Sequence, residues 1–184
     1  MSRIGLSPII IPEGVEYNFS ENVFYAKSQK GDMSLKIDLG FEINKDDTGV
    51  LNITRPDDDK ENKAKHGLYR SLIANMFEGL SKGFKKELEL HGVGYRASNS
   101  GQKLELSLGY SHNIVLEICK EVSLTTQTEK GQTPKIILES YDKELIGAVA
   151  AKIKSFRKHD PYKGKGIRFV GERVRRKAGK TASS

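Results

Sequence analysis

The sequence of 184 residues has no long hydrophobic run and only one cysteine. Its longest early apolar stretch, residues 9–11, stops at Pro12, and no run approaches the about 18 residues that a membrane span requires. No basic segment followed by a long apolar region opens the chain, so a secretory signal peptide is not predicted. Cys119 alone forms neither an internal disulfide nor a cysteine-only zinc site. We therefore expect a soluble, intracellular protein.

The positive charge of the chain is concentrated near its C-terminus. Residues 152–180 contain twelve basic and two acidic residues, a net charge of +10, whereas the remainder carries −3, which together give the +7 of the whole chain. Such asymmetry is typical of a protein that binds a polyanion. The alternative interpretation is a solvated tail that improves solubility.

Alternating apolar and polar residues predict strands in both halves of the chain, and a helix follows them in each half. The predicted strands cover residues 15–19, 23–27, 33–39 and 50–54, then 88–90, 104–108, 114–118 and 136–138. The predicted apolar helix faces are Leu68, Leu72, Ile73, Met76, Phe77 and Leu80 in the first half, and Leu145, Ile146, Val149, Ile153 and Phe156 in the second. Gly79 and Gly83 are interpreted as the end of the first helix.

The two halves also resemble each other in sequence. Residues 33–40 align with 102–109, and residues 67–76 align with 147–156. We interpret this as an internal duplication, with chance similarity of short amphipathic segments as the alternative. Helices that follow runs of strands predict an α+β fold. We expect two duplicated small domains with their boundary near Lys82, followed by a basic C-terminal tail.

Two glycine motifs lack the context that nucleotide binding requires. Residues 92–97 have the G-x-G-x-x-A spacing of a dinucleotide-binding turn, but a strand is predicted where a helix must begin. A bent or bulged strand is the favoured interpretation. Residues 179–181 resemble the end of a phosphate-binding loop, but Val174 stands where that loop requires glycine.

No active site is predicted. The histidines lack metal-ligand spacing, and no pair of acids can be assigned to acid–base catalysis. We therefore expect no catalytic residue, no metal and no cofactor. Two alternatives stay open: an enzyme that binds a dinucleotide at the Gly92 turn, and a general RNA-binding or chaperone module.

The basic segment 157–180 interleaves cations with Tyr162, Phe169 and glycines. Arginine and lysine bind phosphates, glycines allow close approach of the backbone, and an aromatic ring stacks on an unpaired base. A membrane surface would favour an amphipathic helix, which Pro161 and the glycines oppose. Folded nucleic acid is the expected partner, and residues 163–180 are expected to be mobile until they bind it.

This segment resembles the closing signature of the bacterial family of ribosomal protein six of the large subunit. Further matches follow the family's order along the chain. The matching motifs are SRIG at residues 2–5 with Pro8, IP at 11–12, GV at 14–15, HGLYRSLIANM at 66–76, GVGYRA at 92–97, LGYSH at 108–112 and DPYKGKGIRFVGERVRRKAGK at 160–180.

The resemblance implies two duplicated small domains, each an antiparallel-rich sheet packed on one helix. These are an N-terminal α+β repeat over residues 1–82 and a C-terminal α+β repeat over 83–162, and a basic, glycine-rich rRNA-binding tail follows over 163–184. It implies a non-enzymatic constituent of the large ribosomal subunit in the cytoplasm. Such a protein binds large-subunit rRNA near the sarcin-ricin loop, at the base of the factor-binding stalk, and supports subunit assembly and translation. Its expected partners are the rRNA and neighbouring ribosomal proteins near the stalk base, and translation factors pass nearby.

The resemblance also implies which residues contact rRNA. Basic side chains would hold phosphates, Gly164 and Gly166 would allow close approach, and Tyr162 would stack or donate a hydrogen bond to the RNA backbone. The expected site residues are Lys154, Arg157, Lys158, Tyr162, Lys163, Gly164, Lys165, Gly166, Arg168, Arg173, Arg175, Arg176, Lys177 and Lys180.

Overall fold

The computed structural model describes residues 4–46, 49–129 and 132–179, and the predicted site residue Lys180 lies outside these ranges. The described residues form strands and two helices. In chain order these are β1 (Ile9–Ile10), β2 (Glu16–Ser20), β3 (Val23–Ser28), β4 (Gly31–Lys36), β5 (Glu42–Lys45), β6 (Val50–Thr54), α1 (Lys60–Ser81), β7 (Phe84–His91), β8 (Arg96–Ser100), β9 (Lys103–Ser107), β10 (Ile114–Glu117), β11 (Ser123–Gln127), β12 (Lys135–Ser140), α2 (Lys143–Phe156) and β13 (Gly166–Phe169).

The described residues divide into two compact units. The first contains the chain as far as Phe84 together with Tyr141–Lys143, and the second contains Lys85–Ser140 and the chain from Glu144 onwards. Strands precede the helix in both units, and antiparallel pairing dominates their sheets. The α+β class predicted from the sequence is therefore confirmed.

The first unit has two three-stranded sheets, with strand orders β1-β6-β5 and β2-β3-β4. Helix α1 contacts strands of both sheets, so one apolar core lies between them. Phe24 on β3 and Ile73 on α1 are fully buried there, and the rings of Phe24 and Phe77 meet edge to face at 5.8 Å between centroids. Burial of this aromatic and aliphatic surface holds α1 to the sheets.

Helix α1 buries the predicted residues Ile73, Met76, Phe77 and Leu80, but its N-terminal half departs from the predicted face. Leu68 is 52% exposed, although the sequence analysis placed it on the apolar stripe, whereas His66 and Tyr69 are buried. His66 contacts the carbonyl oxygen of Ile53 at 2.8 Å through Nε2, which satisfies the buried ring nitrogen. The predicted face did not include these two positions because their buried side chains, a histidine and a tyrosine, carry polar groups.

Gly79 lies inside α1, so its interpretation as part of the helix end is wrong. A Cβ atom there would overlap the backbone carbonyl oxygen of Tyr141, which belongs to the same unit. Tyr141 also covers Gly31, where a Cβ atom would lie 2.8 Å from its ring. The helix ends at Ser81, and Gly83 follows it with a left-handed φ of +84°.

The second unit has a three-stranded sheet of order β10-β9-β8 and a four-stranded sheet of order β11-β12-β7-β13. On α2 the buried residues are Ile146, Ala150 and Ile153. The fully buried leucines and isoleucines of the sheets are Leu88, Leu90, Leu104, Leu106, Ile136, Leu138 and Ile167. These include the alternating positions that the sequence predicts for β7, β9 and β12.

Residues 92–95 form a turn between β7 and β8, where the sequence analysis expected a bent or bulged strand. The N–H of Tyr95 donates to the carbonyl of Gly92 at 3.3 Å, and Gly94 has a φ of +78°. A Cβ atom at Gly92 would lie 2.7 Å from the Tyr95 ring. Because strand β8 follows this turn, the segment offers no helix amino end to a pyrophosphate.

Strand β13 lies within the segment that the sequence analysis predicts as a mobile tail. It pairs antiparallel with β7, with Ile167 opposite Leu90, and Ile167 is fully buried. The predicted tail starting at residue 163 is therefore wrong for residues 166–169, because an apolar side chain here completes the core of the second unit. The polypeptide continues past residue 162 as part of that unit.

The glycine at the start of β13 tests this arrangement. Gly166 has a φ of +130°, and a Cβ atom there would lie 2.6 Å from the carbonyl oxygen of Lys158. Gly171 also has a positive φ, +80°, but its Cβ position is open. We expect Gly171→Ala to lower the free energy of unfolding by about 1–2 kcal/mol, from backbone strain alone, and Gly166→Ala to lower it further. Urea denaturation followed by circular dichroism measures both, and an equal or smaller effect of Gly166→Ala would contradict this packing.

Candidate nucleic-acid interface

The predicted site residues that the structure describes all lie in the second unit, at the C-terminal end of α2 and in the chain that follows it. They fall into two groups. Members of one group are held by contacts within the protein, whereas members of the other are exposed to solvent. Only the exposed group is available to an incoming polyanion without rearrangement.

A tight loop after α2 presents the first exposed residues. The Asp160 carboxylate accepts the N–H groups of Lys163 at 2.8 Å and Tyr162 at 3.1 Å, and these bonds lower the pKa of the carboxyl below its ordinary value. The N–H of Asp160 donates to the carbonyl of Lys165 at 2.7 Å, and that of Gly164 donates to Asp160 at 2.9 Å. The loop is thereby fixed from within, with Tyr162, Lys163 and Lys165 exposed.

Gly164 and Gly166 are buried, whereas the sequence analysis assigned the space beside them to RNA. At Gly164, with a φ of +71°, a Cβ atom would lie 3.2 Å from Nη2 of Arg176. At Gly166 the space is occupied by the backbone of Lys158 and His159. The close approach that these glycines allow is made by the protein itself.

The chain beyond β13 returns to the same loop. The N–H of Lys177 donates to the carbonyl of Pro161 at 3.0 Å, and the guanidinium of Arg176 lies beside Gly164. Two contacts thus hold the segment that carries Arg173, Arg175 and Arg176 against the folded unit. Cations held in this way lose less conformational entropy on binding than cations on a free chain.

Glu172 fixes the chain after β13. Nζ of Lys154 donates to its two carboxylate oxygens at 2.6 and 2.7 Å, and the N–H of Phe169 donates to Oε2 at 3.0 Å. Lys154 also lies 4.8 Å from the centroid of the Phe169 ring. The hydrogen bond from Lys154 lowers the pKa of the Glu172 carboxyl. Lys154, predicted to hold a phosphate, is therefore engaged with Glu172 instead.

Arg168 is held on the sheet by a polar chain. Its Nη2 lies 3.2 Å from Nδ1 of His91, and Nε2 of His91 lies 2.9 Å from Glu89. Because arginine only donates, Nδ1 must accept, and the Nε2 proton is then donated to Glu89. His91 thus links the Glu89 carboxylate to the Arg168 guanidinium through two hydrogen bonds.

Arg157, immediately after α2, contacts Tyr110. Its guanidinium carbon lies 4.7 Å from the centroid of the Tyr110 ring, and the hydrogen bond with Tyr110 raises the pKa of the arginine above its ordinary value. The backbone carbonyl of Arg157 accepts the N–H of Ile167 at 2.9 Å, which joins the end of α2 to β13. Arg157 therefore positions the loop and strand around it as well as carrying charge.

The remaining cations form what we call the basic surface. They are contributed by the loop after α2 and by the chain that follows β13, and all of them are exposed. The basic surface consists of Lys158, Lys163, Lys165, Arg173, Arg175, Arg176 and Lys177. Tyr162, 55% exposed, lies among them. This arrangement suits a ligand with closely spaced negative charges.

Two structural residues of this region were not predicted. Glu172 and Tyr110 hold Lys154 and Arg157, respectively, in place. A carboxylate with cations on both sides is a sequence signal that could have identified Glu172. Tyr110 lies 47 positions before Arg157, and no local pattern connects the two.

Other kinds of site find no support in the part of the chain that the structure describes. It contains no group of three or more histidine, cysteine or acidic side chains arranged to hold a metal ion. Among the same residues, neither helix is long and apolar enough to cross a membrane.

Comparisons with known proteins agree with the duplicated fold. The family model described as ribosomal protein L6 matches residues 11–83 and again residues 91–170. The chain is 58% identical over 183 residues to the large ribosomal subunit protein uL6 of Flavobacterium johnsoniae, covering 99% of this chain and 100% of that protein. It is 56% identical over 182 residues to the protein of the same name from Parabacteroides distasonis, covering 99% of both chains.

The ion pair of Glu172 gives a pH-dependent prediction. Because the folded-state pKa of this carboxyl is lowered, its stabilising contribution is present above the unfolded-state pKa and is lost as the pH falls through the folded value. We expect Glu172→Gln to lower the free energy of unfolding by about 1 kcal/mol at neutral pH, since the pair is partly exposed. The difference from wild type should shrink between about pH 5 and pH 2.

Glu117→Gln is the matched control, because Glu117 is an exposed carboxylate of the same unit. We expect this change to alter the free energy of unfolding by less than about 0.5 kcal/mol. Urea denaturation at several pH values measures both variants. A pH-independent loss in Glu172→Gln would show that its effect comes from packing and not from charge.

Proposed function

Because this chain belongs to the ribosomal protein L6 family, we propose that its basic surface binds large-subunit rRNA near the sarcin-ricin loop, at the base of the stalk where translation factors act. The protein is a structural, non-enzymatic constituent of the large ribosomal subunit and takes part in translation. Its place in the cell is the ribosome, in the cytoplasm. By binding rRNA at this position it supports assembly of the subunit.

The observation that carries this proposal is the anchored set of exposed cations. Seven basic side chains are presented on a loop and a returning segment that hydrogen bonds and Glu172 hold to the second unit. Exposed cations repel one another, so their placement together favours a partner that supplies negative charge. RNA supplies it at regular spacing along the phosphate backbone.

Each residue then has a defined role in binding. The basic surface holds phosphates, with arginines able to bind two phosphate oxygens at once. Three further cations position the loop, the strand and the returning segment through contacts within the protein. These contacts are Lys154 with Glu172, Arg157 with Tyr110 and Arg168 with His91. Tyr162 stacks on a base or donates to the RNA backbone. Such contacts fix position on the RNA more than they read its sequence.

Neighbouring ribosomal proteins near the stalk base are the expected protein partners, and translation factors pass nearby. A general RNA chaperone remains the competing function, because it would share the basic residues. The anchored geometry favours a fixed structural component, since chaperone-like binding relies on mobile, adaptable segments. Co-sedimentation with large subunits in high salt separates the two functions, because only an integrated component should remain bound.

The basic surface predicts a specific salt dependence. We expect the triple variant Lys163→Gln, Lys165→Gln and Arg175→Gln to bind large-subunit rRNA more weakly than wild type. The plot of log affinity against log salt concentration should become shallower by about 2 to 3, because each phosphate contact contributes about 0.9 to the slope. Filter binding of the full-length protein at about 50 to 200 mM salt measures this slope.

The matched control removes the same number of charges elsewhere. Lys27, Lys36 and Lys120 are exposed and lie outside the basic surface, and changing all three to glutamine should leave the slope nearly unchanged. Equal effects of the two triple variants would mean that net charge alone drives binding. The interface would then not be located at residues 158–177.

A further inference from the structure

Residues 109–113 form a loop that places two aromatic rings at the surface of the second unit. The rings of Tyr110 and His112 are stacked, with centroids 6.2 Å apart and planes 20° from parallel. Tyr110 is 43% exposed, and His112 is also exposed. Neither ring belongs to the buried core, so core packing does not account for their arrangement.

The loop is held in place on several sides. The hydroxyl of Tyr110 donates to the carbonyl of Phe156 at 3.0 Å, and Arg157 lies over its ring. Gly109 turns the chain with a φ of +74° and lies against the Tyr95 ring, which a Cβ atom there would approach to 3.4 Å. The rings are therefore preorganised, and little entropy is lost when a flat group stacks on them.

At the other end of the loop, Nδ2 of Asn113 donates to Oε1 of Glu105 at 2.8 Å. The residues next to the rings, Ser111 and Asn113, are polar and exposed. A protein partner that docks through apolar contacts would require a broader apolar patch than two rings with polar neighbours. A flat aromatic group with polar edges suits this surface better.

Cations lie beside the Tyr110 ring. Arg157 contacts it, and Lys158, the next residue, is exposed, whereas the carboxylate that the loop contacts, Glu105, is already hydrogen-bonded to Asn113. Stacked rings beside cations are the features with which proteins bind single-stranded nucleic acid, where bases stack and phosphates pair with the cations. Lys158 also belongs to the basic surface, so one RNA can reach both.

We propose that His112 and Tyr110 form a stacking surface for an unpaired base of the bound RNA. This inference rests on the proposed function, because it assumes that the basic surface holds the same RNA. The base lies against the His112 ring, which stacks on Tyr110, and the neighbouring RNA phosphates lie near Arg157 and Lys158. The surface thereby selects a position where a base is unpaired, which phosphate contacts alone do not distinguish.

Substitutions at His112 test the proposal in the full-length protein, with large-subunit rRNA as the probe. We expect His112→Ala to weaken binding by about fivefold to 100-fold, with the salt slope unchanged, since stacking is not ionic. His112→Phe keeps a ring and should restore affinity to within about threefold of wild type. Ser111→Ala, a change in the same loop, should have no effect, and circular dichroism checks that every variant is folded.

A fluorescent readout is available because the chain contains no tryptophan. His112→Trp should show quenched emission when rRNA is added, because a base stacks on the indole. Tyr25→Trp, at an exposed position in the first unit, should show little change.

The outcomes separate this inference from the proposed function. If wild type binds rRNA but His112→Ala binds equally well, or His112→Phe fails to restore affinity, the stacking surface is overturned and the proposed function stands. Unchanged emission of His112→Trp on binding overturns it as well. If wild type itself does not bind large-subunit rRNA, both proposals fail.

Discussion

The ion pair between Lys154 and Glu172 is the interaction on which the basic region depends. Cations in adjacent segments repel each other, and only two acids oppose twelve basic residues between 152 and 180. Glu172 neutralises Lys154 on α2 and accepts the N–H of Phe169 with the same carboxylate. One side chain therefore joins the helix, the last strand and the returning chain, and converts a run of cations into a folded surface.

Much of the fold could be predicted from the sequence, because most strands alternate cleanly and both helices carry an apolar face. Strand β13 was missed because it has four residues, two of them apolar, between glycines and cations. Ile167 of this strand pairs with Leu90, which lies 77 positions earlier in the sequence, and no local pattern indicates such a partner. Gly79 was misplaced for a similar reason, since the group that requires a glycine there is a carbonyl 62 positions later.

The sequence located the basic region but could not distinguish the cations that are held by contacts within the protein from those that are exposed. Lys154, Arg157 and Arg168 look like their neighbours in composition, yet each is held by a partner within the protein. Those partners lie 18, 47 and 77 positions away, so only the folded chain shows them. The family resemblance included the motif at residues 108–112, whereas only the folded structure shows that two rings within it are stacked.

The inclusion of Tyr141–Lys143 in the first unit has a consequence for vectorial synthesis. Tyr141 covers Gly31 and its carbonyl lies at Gly79, so the first unit lacks part of its packing until these residues are available. Lys143 is 59 positions beyond Phe84. At a synthesis rate of about 5–20 residues per second, the ribosome takes roughly 3 to 12 seconds to reach Lys143 from Phe84. The nascent first unit lacks Tyr141–Lys143 for that time. During that interval the face of α1 around Gly79 is uncovered and accessible to chaperones.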